Sequence, residues 1–145
     1  MPPKFAAEYI DRLLANATYE SLADLSSAIC SSAKFNAELP DYGLPRFAFL
    51  FVEALLWFAQ GERSGVWTYY EATPQPRQDA MSDALRRDAP EAFSSWYERG
   101  MRDWSDEDRI AAVDTWIEAH GEAAHQWLRA LAANNREALL ALVAE

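Results

Sequence analysis

The run HGEAAH at residues 120–125 brings His120, Glu122 and His125 close together in the chain. Two imidazoles and a carboxylate are the donor set of a hydrolytic zinc helix. There the histidines stand four apart so that both face one ion, and a carboxylate serves as general base. Here the separation is five, which puts the two rings about 140° apart on a continuous helix. Gly121 is expected to bend the segment as well, and no cysteine or third histidine lies nearby. The pattern therefore fits a metal-dependent hydrolase poorly, and fits two boundary histidines beside Trp116 and Trp127 well. The single cysteine, Cys30 in AICSSA, sits on an apolar helical face where a buried thiol is inert. No serine occupies a nucleophile elbow, and no glycine loop is spaced to cradle phosphate. No catalytic residue, metal ligand or cofactor site is expected, and the chain does not read as an enzyme.

The other chemistry-bearing stretch is DWSDEDRIAAVDTWIEAHGE, residues 103–122. It carries Asp103, Asp106, Glu107, Asp108, Asp114, Glu118 and Glu122 against one base, Arg109: seven acids minus one base leaves −6 in twenty residues. Asp106, Glu107 and Asp108 fall where a helix dipole favours anions. Asp103, Glu107, Asp114 and Glu118 share a sector about 60° wide beside the apolar stripe. Such a row is either a solvated helix face, since like charges four apart cost only a few tenths of a kcal/mol, or a set of carboxylates offered to a basic partner. From Glu107 to Glu118 is about 16 Å of helix, along which duplex DNA presents roughly ten phosphate charges. A DNA-like surface would thus need acids from further helices, with Asp79, Asp83, Asp88 and Glu91 as candidates, or a second copy across a dimer axis.

The totals agree with a binding role for negative charge. The chain has 145 residues, 23 acids against 13 bases and a net charge of −10. Direct binding to nucleic acid or anionic lipid is not expected, because both depend on clustered Lys and Arg. A basic nucleic-acid-binding protein is the partner such a surface suits. Half the residues are hydrophobic, with six Trp, six Tyr and seven Phe, so one domain of this length can bury a sizeable core. The unpaired Cys30, the absence of a signal-peptide pattern and an apolar run at 47–59 broken by Glu53 suggest a cytoplasmic protein without a membrane span.

The elements that must position these groups are helical. Phe5, Tyr9, Leu13 and Leu14 follow the Pro2-Pro3 start at helical spacing. Asn16 or Thr18 can cap a second helix with Leu22, Leu25, Ile29 and Ala33 inward. A third, nearly all apolar, runs from about Leu44 to Gln60, with Gly61 and Gly65 punctuating its end. VWTYYEA reads as a short helix, and Pro74 and Pro76 open the next. Pro90 sits in the first turn of another, with Phe93, Trp96, Tyr97 and Met101 inward. Ser105 is the expected cap of the acidic helix, whose apolar stripe is Ile110, Val113 and Ile117. A break at Asn134-Asn135 leaves EALLALVAE as a last turn and a half. The expectation is an all-α, compact single-domain bundle of about seven or eight helices over residues 1–145. Phe58, Trp67, Tyr69 and Tyr70, around the glycine-punctuated turn, are its candidate exposed aromatic patch, an alternative partner surface. Self-association is expected there or on the third helix.

The run EALLWFAQGERSGVWTYYEA, residues 53–72, resembles a motif of a bacterial family of helical domains that includes a DNA-mimic protein. That motif is an acid, a spacer, Asn-Gly-Gly-Phe, an aromatic pair and Asn. Glu53 matches the acid, Ser64-Gly65 the glycine pair and Tyr69-Tyr70 the aromatic pair. Ser64, Val66 and Ala72 stand where the family carries Gly, Phe and Asn. DAPEAFSSWYERGMRDW, residues 88–104, is similar to the family's next helix, and the likeness covers roughly residues 45–140. The resemblance implies a homodimeric acidic inhibitor that occupies the DNA-binding surface of another protein, such as a transcription factor. Mobile elements direct small acidic proteins of this sort against restriction and CRISPR machinery, so anti-CRISPR action belongs to the same expectation. The alternative from a different class is an immunity or scaffold protein that grips one partner through Trp67, Tyr69 and Tyr70.

Overall fold

In a computed structural model, residues 5–144 are described; the Pro2-Pro3 start and Glu145 lie outside them. The described residues form nine helices and no strand: α1 (Ala7–Leu14), α2 (Tyr19–Cys30), α3 (Arg46–Arg63), α4 (Trp67–Ala72), α5 (Gln75–Asp88), α6 (Glu91–Asp103), α7 (Glu107–Ala119), α8 (Gly121–Asn134) and α9 (Arg136–Val143). The all-α expectation holds. The last helix begins one residue earlier than expected, at Arg136 directly after the break at Asn135, and runs to Val143.

The nearly uniform apolarity of α3 has the predicted consequence. The helix is central, packed against α2, α4, α5, α7 and α8, and Phe49, Leu50, Phe51, Trp57 and Phe58 are all buried. One continuous core runs from Ile10 to Val143. Gly61, expected to end α3, lies inside it. A Cβ there would stand 2.8 Å from Ile117 Cδ1, so the residue is small because α7 crosses α3 at that point.

Thr18, not Asn16, caps α2, its hydroxyl accepting from the Ser21 N–H at 3.2 Å. Asp106, not Ser105, caps α7, with Oδ1 accepting from the Arg109 N–H at 3.0 Å. Ala33 falls beyond the end of α2 and is exposed. Pro74 and Pro90 stand just before α5 and α6. Trp96 and Met101 are only half-buried, whereas Phe93 and Tyr97 enter the core.

Two arginines hold the irregular parts. Arg77 donates to the carbonyls of Ala37, Leu39 and Pro40 at 2.6, 2.9 and 3.1 Å, and its guanidinium lies 4.2 Å from the Tyr42 ring centroid. Arg129 donates to the Leu14 carbonyl at 2.7 Å, joining α8 to the end of α1. Among the described residues no helix is long and apolar enough to cross a membrane.

Candidate functional site

The tyrosines on α4 were expected at the surface and are in the core. Tyr69 and Tyr70 are each 2% exposed and Phe58 is 1% exposed, so none of the three can form an accessible patch. The two tyrosines belong to a polar chain that reaches Glu53, itself completely buried in α3. Glu53 Oε1 accepts from the Tyr42 hydroxyl at 2.6 Å, and Oε2 accepts from the Tyr69 hydroxyl at 2.5 Å. With the Tyr69 proton committed to Glu53, the Tyr97 hydroxyl donates to Tyr69 Oη at 2.7 Å. Tyr70 accepts from Trp57 Nε1–H at 3.0 Å and donates to the Tyr97 carbonyl at 2.9 Å. A buried carboxylate that makes no ion pair among the described residues is tolerable only where hydrogen bonds replace water. Burial pushes the phenols of Tyr69, Tyr70 and Tyr97 well above their ordinary range, and burial together with the Glu53 charge does the same for Tyr42. These groups are shielded from solvent and hold the core in register. The one signal for this in the sequence was an acid interrupting an otherwise apolar helix.

The acidic helix divides into tied and solvent-facing carboxylates. Asp103, with a side chain 19% exposed, faces Arg109 Nη1 at 3.7 Å, and Asp106 Oδ2 lies 3.8 Å from Arg109 Nε. Asp114 accepts from the Val66 N–H at 2.7 Å; this bond holds the turn into α4, and the residue is only half exposed. Glu107, Asp108, Glu118 and Glu122 are exposed, and none makes an ion pair among the described residues. Glu62, which sequence reasoning passed over, joins them: its Oε1 would stand 3.1 Å from a Cβ on Gly121. That places an anion against the N-terminus of α8, where the helix dipole favours it. The signal was an acid just before the end of α3, but only the tertiary approach of α8 gives it meaning.

The secondary acids do not extend this surface evenly. Asp83 pairs with Arg87 at 3.1 Å, Asp88 pairs with Arg46 at 2.5 Å, and Asp79 accepts from Gln75 at 2.9 Å. Glu91 is exposed in the first turn of α6. Arginines thus interleave with the acids of α5.

The histidines point to different neighbours. His120 Nδ1 lies 2.7 Å from the Trp116 carbonyl, and its ring stacks on Trp116 at 4.5 Å. His125 lines a shallow groove with Tyr19, Leu55 and Glu62. Among the described residues no three His, Cys, Asp or Glu side chains gather to hold a metal ion. The Cys30 thiol is half-buried, and burial raises its pKa, which lowers its thiolate fraction and its reactivity.

What remains of the aromatic surface is Trp67, 42% exposed. It lies on a groove of about 410 Å³ lined by Trp67, Trp104, Ser105, Glu107 and Ile110. Gly65 turns the chain into α4 with φ +91, a conformation that favours glycine, and the Asp114–Val66 bond fixes the same turn. Residues 107, 110 and 114 recur at helical spacing along one side of α7. The two surfaces expected separately, aromatic turn and acidic helix, therefore meet at one groove. No protein-family model, curated protein or solved structure matches the chain.

Proposed function

We propose that the chain is a non-enzymatic acidic protein that binds a basic nucleic-acid-binding protein and covers the surface which that protein offers to DNA or RNA. The observation that carries this reading is the set Glu107, Asp108, Glu118 and Glu122, exposed and without ion pairs among the described residues, in a chain of net charge −10. Unpaired surface carboxylates raise the encounter rate with a positive partner and do so most at low ionic strength. Four carboxylates match only part of a DNA phosphate row, so two copies acting together as a homodimer complete the imitation. A reducing, cytoplasmic setting suits the single Cys30. Regulators such as transcription factors, and defence complexes of the restriction or CRISPR kind, share the basic DNA-gripping chemistry this surface suits. The competing reading, an immunity or scaffold protein with an aromatic patch, loses Tyr69 and Tyr70 to the core and retains Trp67.

The test is affinity capture from a bacterial lysate at low and moderate salt, with DNA as competitor, using the native chain and the double variant Glu118→Lys/Glu122→Lys. Expected is capture of nucleic-acid-binding proteins that is lost on adding salt or DNA and lost in the variant. Capture indifferent to salt, DNA and both reversals would refute the reading.

A further inference from the structure

We propose that the groove between α4 and the α6–α7 corner is the anchor point for an arginine side chain of the basic partner. This inference rests on the reading above and narrows it to one contact.

Three features of the groove select that occupant. Its lining brings together Trp67 and Trp104 with Ile110 and Ser105. Trp67 is one of the few large hydrophobic side chains left exposed. The groove also includes Glu107, which has no ion pair among the described residues. A mainly apolar groove with an unpaired carboxylate in its lining suits a group that is flat, weakly hydrated and cationic. A guanidinium stacks on an indole face and offers two parallel N–H donors to a carboxylate, which a lysine ammonium cannot do.

The local charge has the right sign. Residues 103–109 hold Asp103, Asp106, Glu107 and Asp108 against Arg109, four acids minus one base, or −3. The dipole of α7 places about half a positive charge at this end, which reduces that field without reversing it. Arg109, the nearest base in sequence, is drawn to Asp103 and Asp106 and leaves Glu107 to an incoming cation. The lining is also held in place: the Asp114 carboxylate fixes the turn that carries Trp67, and Asp106 caps the turn that carries Glu107.

The experiment follows the indole N–H signals of the uniformly labelled full-length chain by NMR at low salt, with Trp67→Phe and Trp104→Phe providing assignments. The probes are capped pentapeptides Gly-Ser-X-Ser-Gly with X as arginine, lysine or citrulline. Expected are saturable shifts of the Trp67 and Trp104 signals with the arginine peptide. Affinity should fall roughly tenfold or more for citrulline, and several-fold for lysine. Glu107→Gln and Trp67→Ala alter exposed side chains, so the fold persists, and each should weaken the arginine peptide by roughly tenfold. Equal binding of citrulline, equal binding of lysine, absence of shifts at these two indoles, or the same shifts appearing with protein concentration alone would overturn the proposal. The last result would assign the groove to a second copy of the chain. Affinity capture with the same variants separates this inference from the broader reading. If Trp67→Ala and Glu107→Gln keep the partner while Glu118→Lys/Glu122→Lys loses it, the groove fails and the acidic surface stands. The opposite pattern keeps the groove and removes the surface.

Discussion

Tyr42 and Glu53 meet in the core, where the phenol donates to one carboxylate oxygen at 2.6 Å. Tyr69 satisfies the other oxygen. The acid is thus held by donors from the loop before α3 and from α4, and the three segments are locked into one arrangement. Replacing Glu53 by Gln keeps the shape but turns an amide N–H₂ toward one tyrosine hydroxyl. Glu53→Gln should lose about 1–3 kcal/mol in urea unfolding, and Glu53→Ala more, since it leaves the Tyr42 hydroxyl without its acceptor and Tyr69 with only its bond to Tyr97. A neutral Gln variant would mean that the carboxylate does not organise this part of the core.

The same network sets an alkaline limit. Tyr42, Tyr69, Tyr70 and Tyr97 all have folded pKa values raised by burial. In the unfolded chain a tyrosine ionises near pH ~10. Above that pH the unfolded state sheds protons that the folded state retains, so stability is complete below about pH 10 and declines as pH rises toward the folded values, by up to ~1.4 kcal/mol per pH unit for each such tyrosine. Ultraviolet titration should show these four phenols ionising together with loss of helical circular dichroism. Their ionisation within an intact fold would contradict the assignment.

Gly100 presents a test of packing against propensity. A Cβ at this position would collide with the Tyr70 ring and hydroxyl. Alanine is the better helix former by about 1 kcal/mol, yet Gly100→Ala should destabilise by about 1–3 kcal/mol. Combining it with Tyr70→Ala should cost less than the sum of the two changes, as measured by a double-mutant cycle. Strict additivity would show that the contact is not made.

Asp114 separates charge from hydrogen bonding. Asp114→Asn keeps an oxygen for the Val66 N–H and should cost little. Asp114→Ala strands that donor and should cost about 1–3 kcal/mol. Thermal melts of the two variants decide: equal losses would place the role in the charge rather than in the bond.

Arg77 clamps three carbonyls of the 37–40 segment and stacks on Tyr42. Lysine cannot reproduce that planar fork. Arg77→Lys should cost about 1.5–3 kcal/mol and speed amide hydrogen exchange in residues 36–44. Unchanged exchange there would show that the loop is held by other contacts.

The helices were legible because their signals are local. The period of Phe5, Tyr9 and Leu13, the prolines before α5 and α6 and the apolarity of α3 each need only their own neighbours in sequence. What escaped depended on distant residues. Trp67, Tyr69 and Tyr70 lie on one six-residue helix, and only the docking of α4 on α3 decides that the tyrosines enter while the tryptophan stays out. Asp114 counted as surface charge until Val66, 48 residues earlier, proved to be its partner. Gly61 looked like a stop because nothing in its own helix reveals Ile117 across the contact. The candidate site was half legible for the same reason: its acids were visible in the sequence, whereas the groove joining Glu107 to Trp67 exists only in three dimensions.

The central place of α3 also governs when the chain can fold during synthesis. Its packing partners include α8, so the ribosome must deliver residues beyond Gly121 before every side of that helix is covered. A nascent chain halted after α7 would show an open apolar flank to chaperones and proteases. Limited proteolysis of a chain cut before Gly121 should therefore attack α3, which resists in the full-length protein.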